Sequence, residues 1–150
     1  MTNKLKRLEK KFLKRLRPIH KQFSKNTFSK LMRKSSTLRS SLKKRSKEYN
    51  VKFEISLSQI RDKFYKAYGK ECRYCLCVLT VRNIVCDHFK PISDGGKSIP
   101  NNLQMICKRC NTRKGNLSHS NFTRLLRWID KQPEELQKYV LRKLSKGGKY

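Results

Sequence analysis

Two Cys-x-x-Cys pairs, Cys72-Arg-Tyr-Cys75 and Cys107-Lys-Arg-Cys110, constrain this chain more than any other feature. Each pair makes a tight turn that aims two sulfurs inward, and two such turns supply the tetrahedral four-sulfur set that zinc prefers. A zinc ion held by four protein sulfurs has no open position, so its role is structural. Residues 76–106 separate the pairs, more than the spacing of about 15 to 20 in simple four-cysteine sites, so an insertion lies between the knuckles. Arg73, Lys108 and Arg109 lie between the sulfurs and suit thiolates that need charge balance. The rival reading, four buried thiols or a redox pair, accounts less well for the duplication. Cys77 and Cys86 are left over: a C-x-C spacing fits a knuckle poorly, and Ile84-Val85-Cys86 reads as a buried strand.

Charge narrows the partner. The chain has 39 Lys+Arg against 10 Asp+Glu in 150 residues, a formal net charge of +29. Such a chain repels itself and calls for a polyanion, most commonly nucleic acid. No apolar run is long enough to span a bilayer. Lys and Arg interrupt every apolar stretch up to Pro18, so no secretory signal is expected. The expected compartment is therefore a reducing cytoplasm, where cysteines serve as metal ligands or buried thiols.

The length suits one compact domain with extensions. Residues 1–50 hold 18 of the basic residues against Glu9 and Glu48 alone. Leu5, Leu8, Phe12 and Leu16 predict an amphipathic helix over 2–16, stopped by Pro18. A second helix is expected over 27–48, weakened by Ser35, Ser36, Ser40 and Ser41. This third reads either as a DNA-gripping arm or as a disordered basic tail that folds on binding. Residues 51–55 alternate like a short strand. Ser56 and Gln59 form a capping box opening a helix that ends near Gly69. Beyond residue 118, Phe122, Leu125, Leu126 and Ile129 predict one helix, with Trp128 in the core. Pro133 opens another that carries Leu136, Val140, Leu141 and Leu144, and Gly147-Gly148 frays its end. The expected division is a helical extension over 1–50, a metal domain with a leading helix over 51–118, and a helical segment over 119–150. The fold class is α+β with helices predominating.

The chemistry lies in the insertion. Asp87 and His88 follow an apolar strand, Gly95-Gly96 marks a turn, and the chain returns through Asn101-Asn102-Leu103 to the second knuckle. A carboxylate and an amide oxygen are hard ligands that suit Mg²⁺, and a neutral imidazole is a general base near pH 7. Asn111 directly follows the last cysteine, so the knuckle fixes where it points. Arg113 and Lys114, one turn beyond, are candidate phosphate contacts or ordinary surface charge. His20 and His119 have no partner at ligand spacing and read as surface residues.

The pattern D-H, G-G, N-L and C-x-x-C-N-x-x-K-G closely resembles HNH endonucleases of the His-Me finger (ββα-metal) superfamily, over about residues 70–116. The resemblance implies a small ββα-metal core with a four-cysteine zinc site, flanked by N- and C-terminal helices. His88 would deprotonate the attacking water, and Asp87 and Asn111 would hold one divalent cation, Mg²⁺ being the expected one. Asn102 would pin the loop and orient His88, with Asn101 as the alternative for that position. The last position is often His in the family, and here it is Asn111. The small Lys-rich chain also looks like phage or mobile-element members of the family. The implied partner is DNA, with a homodimer or two sequential nicks needed for a double-strand break. The competing class is a non-catalytic zinc ribbon that binds nucleic acid, which has no need of a metal-ligand pair beside a base.

Overall fold

A computed structural model describes residues 3–15 and 21–147. Leu16, Pro18, His20 and Gly148 lie outside the described residues. The elements in order are α1 (Asn3–Arg15), α2 (Lys21–Glu48), α3 (Leu57–Ala67), β1 (Ile84–His88), β2 (Leu103–Cys107), α4 (Lys108–Lys114), α5 (His119–Asp130) and α6 (Glu134–Leu144). Single 3-10 turns, Ile92–Asp94 and Pro100–Asn102, interrupt the β1–β2 connection. The class is α+β: among the described residues there are six α-helices with one two-stranded antiparallel sheet, and β1, β2 and α4 form the ββα unit. No described helix is long and apolar enough to cross a membrane.

Local chemistry explains most boundaries. The Ser56 hydroxyl accepts from Gln59 N while the Gln59 side chain accepts from Ser56 N, the reciprocal capping box that starts α3. Gly69, at φ +74°, takes the left-handed conformation that leads the chain away from that helix. Two expectations shift. Helix α2 begins at Lys21 rather than near residue 27, and its serines do not break it: Ser35 Oγ donates to Leu31 O at 2.8 Å within a buried face. Residues 51–55 form no strand, because they find one residue to pair with: Phe53 bridges Ser98, with Glu54 N donating to Ser98 O and Ser98 N to Lys52 O.

A single buried cluster joins the N-terminal helices to the sheet and the cysteines. Phe12, Phe28, Leu31 and Leu42 share it with Ile60, Phe64, Ile84, Ile106 and Cys110. The Phe12 ring packs against Phe28, Tyr65 and Tyr68, with centroids 5.3–6.1 Å away. Residues 1–50 are thus no loose tail where they are described; α2 lies along α3 and the sheet. Replacing Leu31, 1 % exposed, by Ala should cost about 2–5 kcal/mol in one cooperative unfolding transition. Urea unfolding followed by circular dichroism checks this, and an unchanged midpoint would mean that α2 folds apart from the sheet.

Candidate active site and metal centre

The two knuckles meet as the sequence requires. The Sγ atoms of Cys72, Cys75, Cys107 and Cys110 all lie within 4.8 Å of one another, and Cys75 Sγ is 3.6 Å from Cys107 Sγ. Tetrahedral zinc with Zn–S bonds of about 2.3 Å needs sulfurs about 3.8 Å apart, so the cluster fits a metal ion such as zinc. The first knuckle closes through Leu76 N donating to Cys72 O and Cys72 N to Cys77 O, with Leu76 at φ +58°. In the second, Cys107 is the N-cap of α4, its sulfur accepting from Cys110 N at 3.4 Å. Cys72 Sγ accepts from Cys107 N across the knuckles. Four thiols this close resist ionising together. The Cys72–Cys110 hydrogen bond pulls Cys72 down to about 4 and pushes Cys110 up, and a bound cation removes that conflict. Cys77 stands beside Cys75 and Cys107 but outside the set, its thiol pushed up to about 12 chiefly by burial.

Because Cys107 both ends β2 and caps α4, the cluster sets the position of the helix. Asn111 and Lys114 lie three residues apart, on one face of it. In the ribbon the register pairs Asp87 with Gln104 and His88 with Leu103. Directly opposed residues share a face, so Gln104 Nε2 reaches Asp87 Oδ2 at 2.9 Å. A cavity of about 330 Å³ is lined by Asp87, His88, Asn111, Lys114, Asn116 and, from α2, Arg45. The residues that the sequence singled out for cation and base thus border one space.

Lys114 departs from expectation. It is 1 % exposed, no surface cation: Nζ donates to Asp87 Oδ1 at 3.2 Å and to His88 O at 3.0 Å, and forms an ion pair with Asp87 Oδ2 at 3.1 Å. A buried ammonium must be paired, and the strand end offers it a carboxylate and a carbonyl. The ammonium of Lys114 is therefore turned to the end of β1 and not to the outer surface. Arg113 is half-buried, its Nε donating to Ser145 Oγ at 2.7 Å in the turn after α6. Burial pushes the Asp87 carboxyl up, against the opposing pull of Lys114 and Gln104. Burial, with Arg45 and Lys114 nearby, pushes His88 down to about 4, so its ring is neutral at pH 7.

Asn102 acts as a clasp. Its Oδ1 accepts from Lys90 N, and its Nδ2 donates to Lys90 O and Lys97 O. Phe89 N donates to Asn102 O, which closes the loop at its base. Asn101 is exposed and makes none of these bonds. Inside the loop Gly96 N donates to Pro91 O, and a Cβ on Gly96 would collide with the carbonyl oxygens of Lys90 and Pro91. The loop thus returns Ser98 to His88, Oγ to Nε2 at 3.0 Å. Buried Ser46, in the last turn of α2, donates to Ser98 Oγ at 2.8 Å.

Several of these residues carried no signal in the sequence. Gln104 Nε2 also donates to Tyr74 OH at 2.8 Å, and Tyr74 OH lies 2.8 Å from His119 Nδ1. A polar chain therefore runs from Asp87 through Gln104 and Tyr74 to His119, which is a partnered residue and not an isolated surface one. Gln104 Oε1 is buried without a partner. Trp128, expected in the core, is 51 % exposed, because Phe122 and Ile129 take the inward face of α5.

Native mass spectrometry should find one tightly held metal ion per chain in the four-sulfur site. Cys110→Ser should abolish it and lower the melting temperature; undiminished metal content would remove the cluster assignment. The His88 ring should stay neutral down to about pH 5 in ¹⁵N-edited spectra. Its folded pKa lies below the unfolded value of about 6.5. The stability it contributes is therefore full above pH 6.5 and is lost as pH falls toward 4. A midpoint near 6.5 in the folded protein would contradict the burial described.

No curated protein matches the chain. Residues 72–117 match the family model described as HNH endonuclease. The match begins at the first knuckle, takes in the β1–β2 ribbon and α4, and ends just before α5, so the stretch that is similar to HNH endonucleases is the one that carries the four-cysteine cluster able to hold a metal ion.

Proposed function

We propose that the chain is a DNA endonuclease that hydrolyses phosphodiester bonds, with His88 as general base, a divalent cation on Asp87 and Asn111, and zinc in a purely structural role. The observation that carries this reading is the buried imidazole of His88 bordering the same cavity as Asp87 and Asn111. A base must be unprotonated at working pH, and burial beside two cations holds it so. In the tautomer whose Nε2–H donates to Ser98 Oγ, Nδ1 is the nitrogen that takes a proton from water. Asn102 holds the loop that presents Ser98, so its contribution to His88 is positional and runs through that hydroxyl.

Asp87 and Asn111 offer hard oxygen donors, which fit Mg²⁺ or a similar ion better than zinc. When bound, such a cation supplies charge stabilisation at the scissile phosphate and the leaving 3′-oxygen. Lys114 favours the ionised form of Asp87 and orients it while occupying part of its hydrogen-bonding capacity. A carboxylate already neutralised in this way binds a cation weakly by itself, and the substrate phosphate is the natural remaining ligand. One such site cuts one strand, so a double-strand break needs a homodimer or two sequential nicks. The compact, Lys-rich chain suits a phage or mobile-element setting.

His88→Ala should lower Mg²⁺-dependent plasmid cleavage by about 10²–10⁴-fold while DNA affinity, measured by fluorescence anisotropy, stays unchanged. Ser98→Ala should give a smaller loss. Wild-type cleavage by His88→Ala would sink the mechanism. DNA binding by a wild-type chain that cuts under no divalent cation would favour a binding module.

A further inference from the structure

A groove of about 660 Å³ runs between α2 and the outer edge of β1. Lys30, Arg33, Lys34, Thr37, Leu38 and Ser41 line one wall, and Arg45 continues that row into the 330 Å³ cavity. These positions recur every three or four residues and form one face of α2. The opposite wall carries Arg82 with Val81, Ile84 and Val85, and Phe64 closes the space behind them. Cys86 borders both the groove and the cavity, so the two meet at the edge of β1.

The groove has a cationic rim and an apolar floor. Four of its lining residues are basic and none is acidic. Lys34 is partly engaged, Nζ lying 3.3 Å from Ile84 O. Lys30, Arg33 and Arg82 are exposed and, among the described residues, belong to no ion pair. In the adjoining cavity the one acid, Asp87, is already matched by Lys114. Positive charge along an apolar trough is the arrangement that follows a polynucleotide backbone while accommodating sugar and base.

We infer that this groove is the track for one strand of the DNA on one side of the scissile phosphate, with α2 as its wall. The inference rests on the nuclease reading for its direction, toward Asp87 and His88. From Lys30 to Arg45 the helix rises about 22 Å, the axial length of about six nucleotides of one B-form strand. Contacts are therefore confined to about six phosphates on one side of the cut.

The test replaces Lys30, Arg33 and Arg82 together by Ala and measures affinity for a DNA duplex in EDTA across a salt series. Each lost phosphate contact lowers the slope of log K against log salt by about 0.9, so the triple variant should lose about 2.7. Its control, Lys66→Ala with Lys131→Ala and Lys138→Ala, removes the same charge away from the groove and should leave the slope near the wild-type value. Methylphosphonate substitution, phosphate by phosphate, should weaken wild-type binding on one side of the cut and lose most of that effect in the triple variant. Equal slopes for both variants, or a methylphosphonate pattern spread over both sides, would overturn the track. Should the triple variant fail to fold by circular dichroism, Arg33→Gln and Arg82→Gln singly carry the same test, with a slope change of about 0.9 each. A chain that binds along the groove yet cuts no DNA would remove the nuclease reading and leave the track intact.

Discussion

The meeting of four sulfurs is the constraint to which the candidate site is referred. A two-stranded ribbon alone is marginal in water, and this one has five residues in each strand. The cluster fastens the end of β2 to the knuckle before β1 and makes Cys107 the cap of α4. Asn111 and Lys114 are then aimed by helix geometry, and Asp87 and His88 by strand register. A metal ion held by the cluster would stabilise the fold through the thiolates it keeps ionised. The meeting of the knuckles also brings Asp87 and Asn111, far apart in sequence, to the border of one cavity.

A second tie runs from the other direction. The loop between the strands is closed by Asn102 and crossed by the Phe53–Ser98 bridge, and Ser98 touches both His88 and Ser46. His88 is thereby connected to the last turn of α2, outside the stretch that matches the HNH model. Residues 51–55 read as a short strand in the sequence and form a single bridge in the structure. Their few backbone bonds hold the one serine that contacts the imidazole.

What could be read from the sequence was whatever is encoded locally. The C-x-x-C turns, the Ser56–Gln59 capping box and the Gly95-Gly96 turn each depend on residues a few positions apart. The pairing Asp87–Gln104 depends on register, and a shift of one residue would have faced Asp87 toward a different neighbour. Tyr74, Ser98 and His119 join the site from three separate segments with no periodicity to mark them. Lys114 escapes a sequence reading for a different reason. Among 39 basic residues a single lysine carries little information, and only the carboxylate and carbonyl at the end of β1 make its burial tolerable. Trp128 shows the converse: apolar spacing on α5 predicts a wide buried stripe, and the helix buries a narrow one.

The excess charge acquires a shape from these placements. Of the basic residues on α2, Lys30, Arg33 and Lys34 look into the groove and Arg45 into the cavity, while Phe28, Leu31, Leu42 and Ser46 turn to the core. The same helix thus packs, positions and attracts, with three functions separated by angle around its axis. A mobile basic tail would raise affinity for any polyanion equally. A basic face locked beside β1 favours backbones that run toward Asp87 and His88, because like charges held in a row repel unless a strand lies along them. The repulsion left unrelieved in the free protein is then the electrostatic counterpart of substrate binding, and it weakens as salt screens it.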